Sequence, residues 1–231
     1  MLIDLNCDLG EGAGTEAELL PLITSANVSC GAHAGTEADI AATLRLAHRH
    51  GVAVGAHPGH PDPEHFGRRE LRYAPRDVLE MTRAQITALR KLADEAGVKV
   101  RYVKPHGGLY HQACREDVYA DAVVSACALA GLPVVGLPGS RLEIRAVSRV
   151  DFFAEGFADR RYRADGSLVP RDQPDAFVQD PREAVEQVRR LIAERGVRTI
   201  CVHGDNPAAL AFVRAVREEL LRSGTELRPF A

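Results

Sequence analysis

Six short segments of this chain set acids, bases and amides beside glycine. They are 6–11 (Asn6, Cys7, Asp8, Leu9, Gly10, Glu11), 30–35 with His33, 57–59 with His57, 104–108 with Lys104 and His106, 155–160 with Glu155, Asp159 and Arg160, and 203–205 with His203 and Asp205. Carboxylates and imidazoles exchange protons near neutral pH, and lysine and arginine hold anions. Glycine lets a backbone come close to a small ligand. Gathered in one cavity, these groups would do acid–base chemistry on a small polar molecule.

Taken singly, most of them have a plainer explanation. A histidine near a strand end is often only a hydrogen-bonded structural residue. Asp8 and Glu11 could cap a following helix, and Asp205-Asn206-Pro207 is a good helix start by itself. His48 and His50 suit the C-terminal end of a helix dipole. Arg68-Arg69 and Arg160-Arg161 are surface charge or anion grips, and the cysteines read as small core residues. Lys104 resists such a reading, because a buried ammonium at the end of an apolar strand needs an anionic partner. Six strand ends carrying such groups together point to a pocket where no single one would.

The elements that must position these groups are short apolar runs alternating with amphipathic stretches. Strands are expected at 2–6, 26–30, 52–56, 100–104, 133–136, 151–155 and 199–203. Asp4, Asn6 and Asp8 share parity, so an extended strand points them to one side; Lys104 and His106 share parity, as do His203 and Asp205. One helix opens at Thr36, with Asp39 three residues on, and stops at Gly51. Pro75 opens a second that ends at Gly97. Asp180-Pro181 opens a third, with Glu183 at the capping-box position and Gly196 at its end; Asn206-Pro207 opens the last. Weaker helices fit 113–130 and 140–148.

This alternation predicts right-handed βαβ units and a mainly parallel sheet. The sheet either curls into a seven-stranded TIM-like barrel or stays open and doubly wound. In both, ligands bind at the C-terminal edge of the strands, where the polar groups fall. No repeat or linker divides the chain, so residues 1–231 are read as one domain. The long connections 57–74 and 156–180 are expected to be lids or binding loops.

Composition narrows the partners. The 29 Lys+Arg against 32 Asp+Glu leave a net charge of −3, without the basic excess of a nucleic-acid binder. No long apolar run could span a membrane, and Asp4 falls where a signal peptide would be apolar, so a cytoplasmic location is expected. Five cysteines without a C-x-x-C pair fit reduced thiols. A Walker loop, a G-x-G-x-x-G turn, a G-x-S-x-G elbow and an H-E-x-x-H helix are all missing.

The segments DLNCDLGEG (4–12), TSANVSCGAHAG (24–35), GAHPGHPD (55–62), FGRR (66–69), KPHGGLY (104–110), FADRRY (157–162), DGSLVPR (165–171) and ICVHGD (200–205) resemble the LamB/YcsF family. The match runs in order from residue 2 to about 216. Ala13 and Ala32 stand where the family commonly has aromatics. Thr36, His60 and His111 stand where it has Asp, Tyr and Asn. The family comprises the A subunits of bacterial 5-oxoprolinases. The resemblance therefore implies an α/β fold, a distorted seven-stranded (β/α) barrel of the polysaccharide-deacetylase type. It also implies ATP-dependent opening of 5-oxo-L-proline to L-glutamate with partner subunits B and C. ATP would be bound with or by those partners, and a divalent metal would serve as Mg with ATP or as a site ion.

For lactam hydrolysis a pocket needs a base for water, donors for developing charge and a grip on the substrate carboxylate. On this chemistry the expected catalytic residues are Asp8, Lys104, His106, Glu155, His203 and Asp205, with Asp8 or Glu155 as base. Asn6, Glu11, Asn27 and Arg160 are expected to bind substrate, with Arg160 as the clamp on a carboxylate or phosphate. Two alternatives stand beside this. One is a metal-dependent hydrolase or deacetylase using Asp8, His33 and His57 as ligands. The other is a non-catalytic protein that binds substrate for its partners.

Overall fold

The computed structural model describes residues 2–203 and 209–231. Strands β1 (Leu2–Leu9), β2 (Ser25–Ser29), β3 (Ala53–His57), β4 (Val100–Val103), β5 (Val134–Gly136), β6 (Phe152–Phe157) and β7 (Thr199–His203) pair in parallel in chain order. β1 pairs with both β7 and β2, which closes a seven-stranded barrel and decides against the open sheet. A short β8 (Glu226–Leu227) adds to the start of β1. The helices are α1 (Glu16–Leu19), α2 (Glu37–His50), α3 (Pro75–Glu95), α4 (Gly107–Arg115), α5 (Asp117–Ala130), α6 (Arg141–Ala146), α7 (Pro181–Arg195) and α8 (Ala209–Arg222). The barrel is irregular where β4 and β5 share one pairing, Val103 with Val134, and where the β3–β4 register shifts at Val54/Gly55.

Strand parity explains what the barrel holds. On β1, Ile3, Leu5, Cys7 and Leu9 join the apolar layer, while Asp4, Asn6 and Asp8 meet side chains of other strands across the lumen. On β2, Ala26 and Val28 face the apolar layer and Ser25 and Asn27 face inward. Barrels of this class usually fill the lumen with branched apolar residues; this one fills it with a polar network. Gly55 makes room for it: a Cβ there would stand 2.1 Å from the Tyr102 ring.

Local signals behave largely as expected. Thr36 and Asp39 form a reciprocal capping box and Gly51 closes α2 in the left-handed conformation. Asp180 caps α7 by accepting from the Arg182 N–H, but Glu183 binds the Arg161 guanidinium instead of completing a box. The stretch expected as one helix over 113–130 is two, because α4 starts at Gly107 and Glu116 is extended between α4 and α5. Asn206-Pro207 lies outside the described residues. The connection 58–74 folds on Asp62, which receives Arg69 twice at 2.8 Å, and so is braced. No helix among the described residues is long and apolar enough to cross a membrane.

Candidate active site

At the C-terminal mouth of the barrel three groups of buried side chains meet. The first centres on Lys104, 2 % exposed just beyond β4. Its ammonium lies 3.0 Å from Asp8 Oδ1, 2.8 Å from Glu155 Oε1 and 3.0 Å from Cys201 Sγ. Asn27 Nδ2 donates to Asp8 Oδ1 at 2.7 Å and to Asn6 Oδ1 at 2.7 Å. Asn6 in turn donates to Glu155 Oε1 at 3.2 Å. Tyr102 donates its hydroxyl to Asn27 Oδ1 at 2.7 Å and Tyr110 to Glu155 Oε2 at 3.1 Å. Burial alone would raise the Asp8 carboxyl, yet His57, Lys104 and His203 hold it well below the usual carboxylate range. Burial alone would lower Lys104, yet Asp8, Cys201 and Glu155 hold it well above the usual amine. Each partner thus favours the charged form of the other, and Lys104 stands between the Asp8 and Glu155 carboxyl groups.

The second group is Glu11, His33, His57 and His106. His33 Nε2 lies 3.0 Å from Glu11 Oε1, and His106 Nδ1 lies 3.4 Å from the same oxygen and 2.9 Å from His57 Nε2. The rings of His33 and His106 stack at 3.8 Å. Burial, reinforced by the neighbouring His33 and His57, pushes His106 well below the usual imidazole. Loop closure depends on Gly35, whose φ is +76° and whose added Cβ would stand 2.0 Å from the Gly10 carbonyl oxygen. That close approach seats the Gly10–Glu11 turn against the loop carrying His33.

The third group joins His203 to Asp159. Asp159 Oδ2 lies 3.0 Å from His203 Nδ1 and accepts from the His203 backbone N–H at 3.2 Å. Burial would raise the Asp159 carboxyl, but His203 and then Arg171 lower it. His203 Nε2 is left facing Asp8 Oδ2 at 4.0 Å, with the side chain 10 % exposed. This is the arrangement in which a carboxylate fixes the tautomer and direction of an acid–base histidine.

The structure thus brings together Asn6, Asp8, Glu11, Asn27, His33, His57, Lys104, His106, Glu155 and His203. Arg160 is directed elsewhere. Its guanidinium donates to the carbonyls of Val169 at 2.5 Å and Ala176 at 3.4 Å and lies over the Phe177 ring, so it braces the 158–178 connection. Asp205 lies outside the described residues. Asn6 and Asn27 are engaged inside the lumen, where they position carboxylates. Spacing assigns no role to Asp159, Tyr110 or Cys201. The first two lie in the family segments FADRRY and KPHGGLY, and Cys201 in ICVHGD, the signal that could have raised them.

Among the described residues, two donor sets could hold a metal ion: Glu11, His33, His57 and His106, and Asp8, Cys201 and His203. In each, the ligand atoms lie within 4.8 Å of one another. The imidazole-rich set fits a divalent transition metal by its chemistry. His33 Nδ1 there is buried without a hydrogen-bond partner.

The closed seven-stranded parallel barrel ringed by helices, with a buried charged cluster at the C-terminal ends of its strands, makes the fold a (β/α) barrel. The family 4 carbohydrate esterase from Streptomyces lividans superposes with a TM-score of 0.58 at 14% identity, covering 100% of this chain and 93% of that one, a likeness of fold alone. The chain belongs to the LamB/YcsF family, whose profile matches residues 3–231. It is 42% identical to the 5-oxoprolinase A subunit of Neisseria meningitidis serogroup C over 97% of this chain and 98% of the relative. It is also 42% identical to that of Tolumonas auensis, over 98% of each chain. The lactam utilization protein from Thermus thermophilus shares 40% identity and superposes with a TM-score of 0.92 over 100% of both chains.

Proposed function

We propose that this chain is a subunit of a cytoplasmic ATP-dependent 5-oxoprolinase that opens the lactam of 5-oxo-L-proline to L-glutamate together with B and C subunits. The observation that supports it most strongly is the charged Asp8–Lys104–Glu155 cluster facing the Asp159-oriented His203. It lies in a chain that matches A subunits over nearly its whole length.

An unstrained five-membered lactam is a poor electrophile because of amide resonance, and glutamate recloses readily. Coupling to ATP overcomes both. The partner subunits bind ATP with its Mg and phosphorylate the lactam oxygen; this chain hydrolyses the activated ring. Asp8, ionised and held by Lys104 and Asn27, takes a proton from the attacking water. His203, fixed through Nδ1 by Asp159, delivers a proton from Nε2 to the leaving ring nitrogen as the C–N bond breaks, and a second water then hydrolyses the acyl phosphate so formed to glutamate and inorganic phosphate. Glu155, tied to Lys104 and Tyr110, maintains the negative field that keeps Lys104 charged. A divalent ion held by the histidine cluster would supply Lewis-acid stabilisation of developing negative charge.

The chain co-purified with its B and C partners is expected to release glutamate and ADP from 5-oxo-L-proline and ATP, and to lose both when this chain is omitted. A complete complex that turns over no 5-oxoproline would sink the proposal. The histidine cluster favours a second reading, a metal-dependent amide hydrolase or deacetylase working alone. It predicts turnover by the isolated chain that a chelator abolishes.

A further inference from the structure

We propose that Glu11, His57 and His106 are the protein ligands of a divalent transition-metal ion, with Asp8 outside the coordination set. This differs from the expected set of Asp8, His33 and His57. A neutral imidazole has one N–H and one bare nitrogen. His57 Nδ1 lies 2.7 Å from the Lys104 carbonyl oxygen and His106 Nε2 lies 2.8 Å from the Phe66 carbonyl oxygen, so each of these nitrogens carries the hydrogen. The remaining two, His57 Nε2 and His106 Nδ1, face each other at 2.9 Å with lone pairs opposed. A proton or a metal ion removes that conflict. Glu11 Oε1, 3.4 Å and 3.9 Å from the two nitrogens, supplies the third donor that a metal needs and a proton does not.

The outer contacts agree. Histidines that bind metals usually donate their other N–H to a carbonyl or carboxylate, which sets the tautomer and aims the ring. Here both do so to backbone carbonyls of different loops. His33 donates from Nε2 to Glu11 Oε1 at 3.0 Å and so holds the carboxylate in place. Every side-chain partner of Glu11 among the described residues is a histidine. Asp8 is committed differently: its Oδ2 lies 3.4 Å from His57 Nε2, but its Oδ1 takes the Lys104 ammonium and the Asn27 amide, that ammonium would repel a second cation on the same carboxylate, and among the described residues only Glu11 has an oxygen grouped with both His57 and His106. Two imidazoles and one carboxylate suit zinc, iron, cobalt or nickel, and three protein ligands leave positions open.

The inference concerns the same cavity as the hydrolytic reading but fails separately from it, because metal binding is read without turnover. The full chain is stripped with chelator and titrated with Co²⁺, following visible d–d absorption and metal content after gel filtration. The wild-type chain is expected to bind one Co²⁺, and D8N to keep its affinity within threefold. E11Q and H106Q are expected to bind at least tenfold more weakly. E11D, which keeps the charge but shortens the reach, is the second test at this position and should also bind more weakly. Absence of Co²⁺ binding by the wild-type chain would overturn the proposal. So would loss of binding in D8N with binding retained in E11Q or E11D.

Discussion

Asp4 and Asp8 lie four residues apart on the inner face of β1, both buried, and their surroundings drive them in opposite directions. Asp4 sits at the floor of the barrel among the hydroxyls of Thr24, Ser25 and Thr199. Those donors do not offset burial, and its carboxyl is pushed up to about 6. Asp8 sits at the mouth against Lys104 and His57 and stays ionised. The floor is closed by the C-terminal tail, whose Phe230 ring packs at 4.8 Å on Tyr102 and 4.6 Å on Phe153. One end of the lumen therefore holds a carboxylate with neutral donors and the other holds carboxylates with cations.

Removing the cation should break this contrast most severely. K104M removes the cation that touches both Asp8 and Glu155 and leaves Glu155 buried without its ion-pair partner, which is expected to cost about 3–5 kcal/mol in urea unfolding. A loss under about 1 kcal/mol would show that the mouth does not depend on the ion pairs.

The floor should reveal itself through pH. Unfolded, Asp4 titrates near the ordinary carboxyl value of 3.8, and folded it titrates near 6, so the folded chain binds the extra proton between those values. The stability this group contributes is whole below pH 4 and is lost as pH rises through 6, on the order of 3 kcal/mol. The stability difference between wild type and D4N, measured from pH 4 to 8, should therefore shift in favour of D4N as pH rises. A pH-independent difference would show that Asp4 is not titrating there.

The link between the two ends should give a smaller effect. Y102F removes the hydroxyl that Asn27 Oδ1 accepts and is expected to cost about 1 kcal/mol in chemical denaturation. No change in stability would mean the amide finds another donor.

Much of this is legible in the chain. The parity of Asp4, Asn6 and Asp8 foretells their common face, and β1 is longer than expected, carrying Asp8 inside the strand. The closure of the barrel is not legible from alternation alone, since an open sheet has the same pattern; the family resemblance supplies it. Parity also fails beyond strand ends. β4 stops at Val103, so Lys104 enters the Asp8 cluster while His106, at the start of α4, joins the histidines. Partner choice lies beyond reach: Lys104 meets Asp8 across 96 positions of sequence. Arg160 shows its charge in the sequence but not its direction toward its own loop carbonyls.

The proposed ring opening depends on Asp8 at the charged mouth as its base. It is tested most directly by 5-oxoproline-dependent glutamate release from the D8N chain in complex with its partner subunits. Turnover is expected to fall by about 10²–10⁴-fold, with the complex still assembled. Turnover within threefold of wild type would contradict the account.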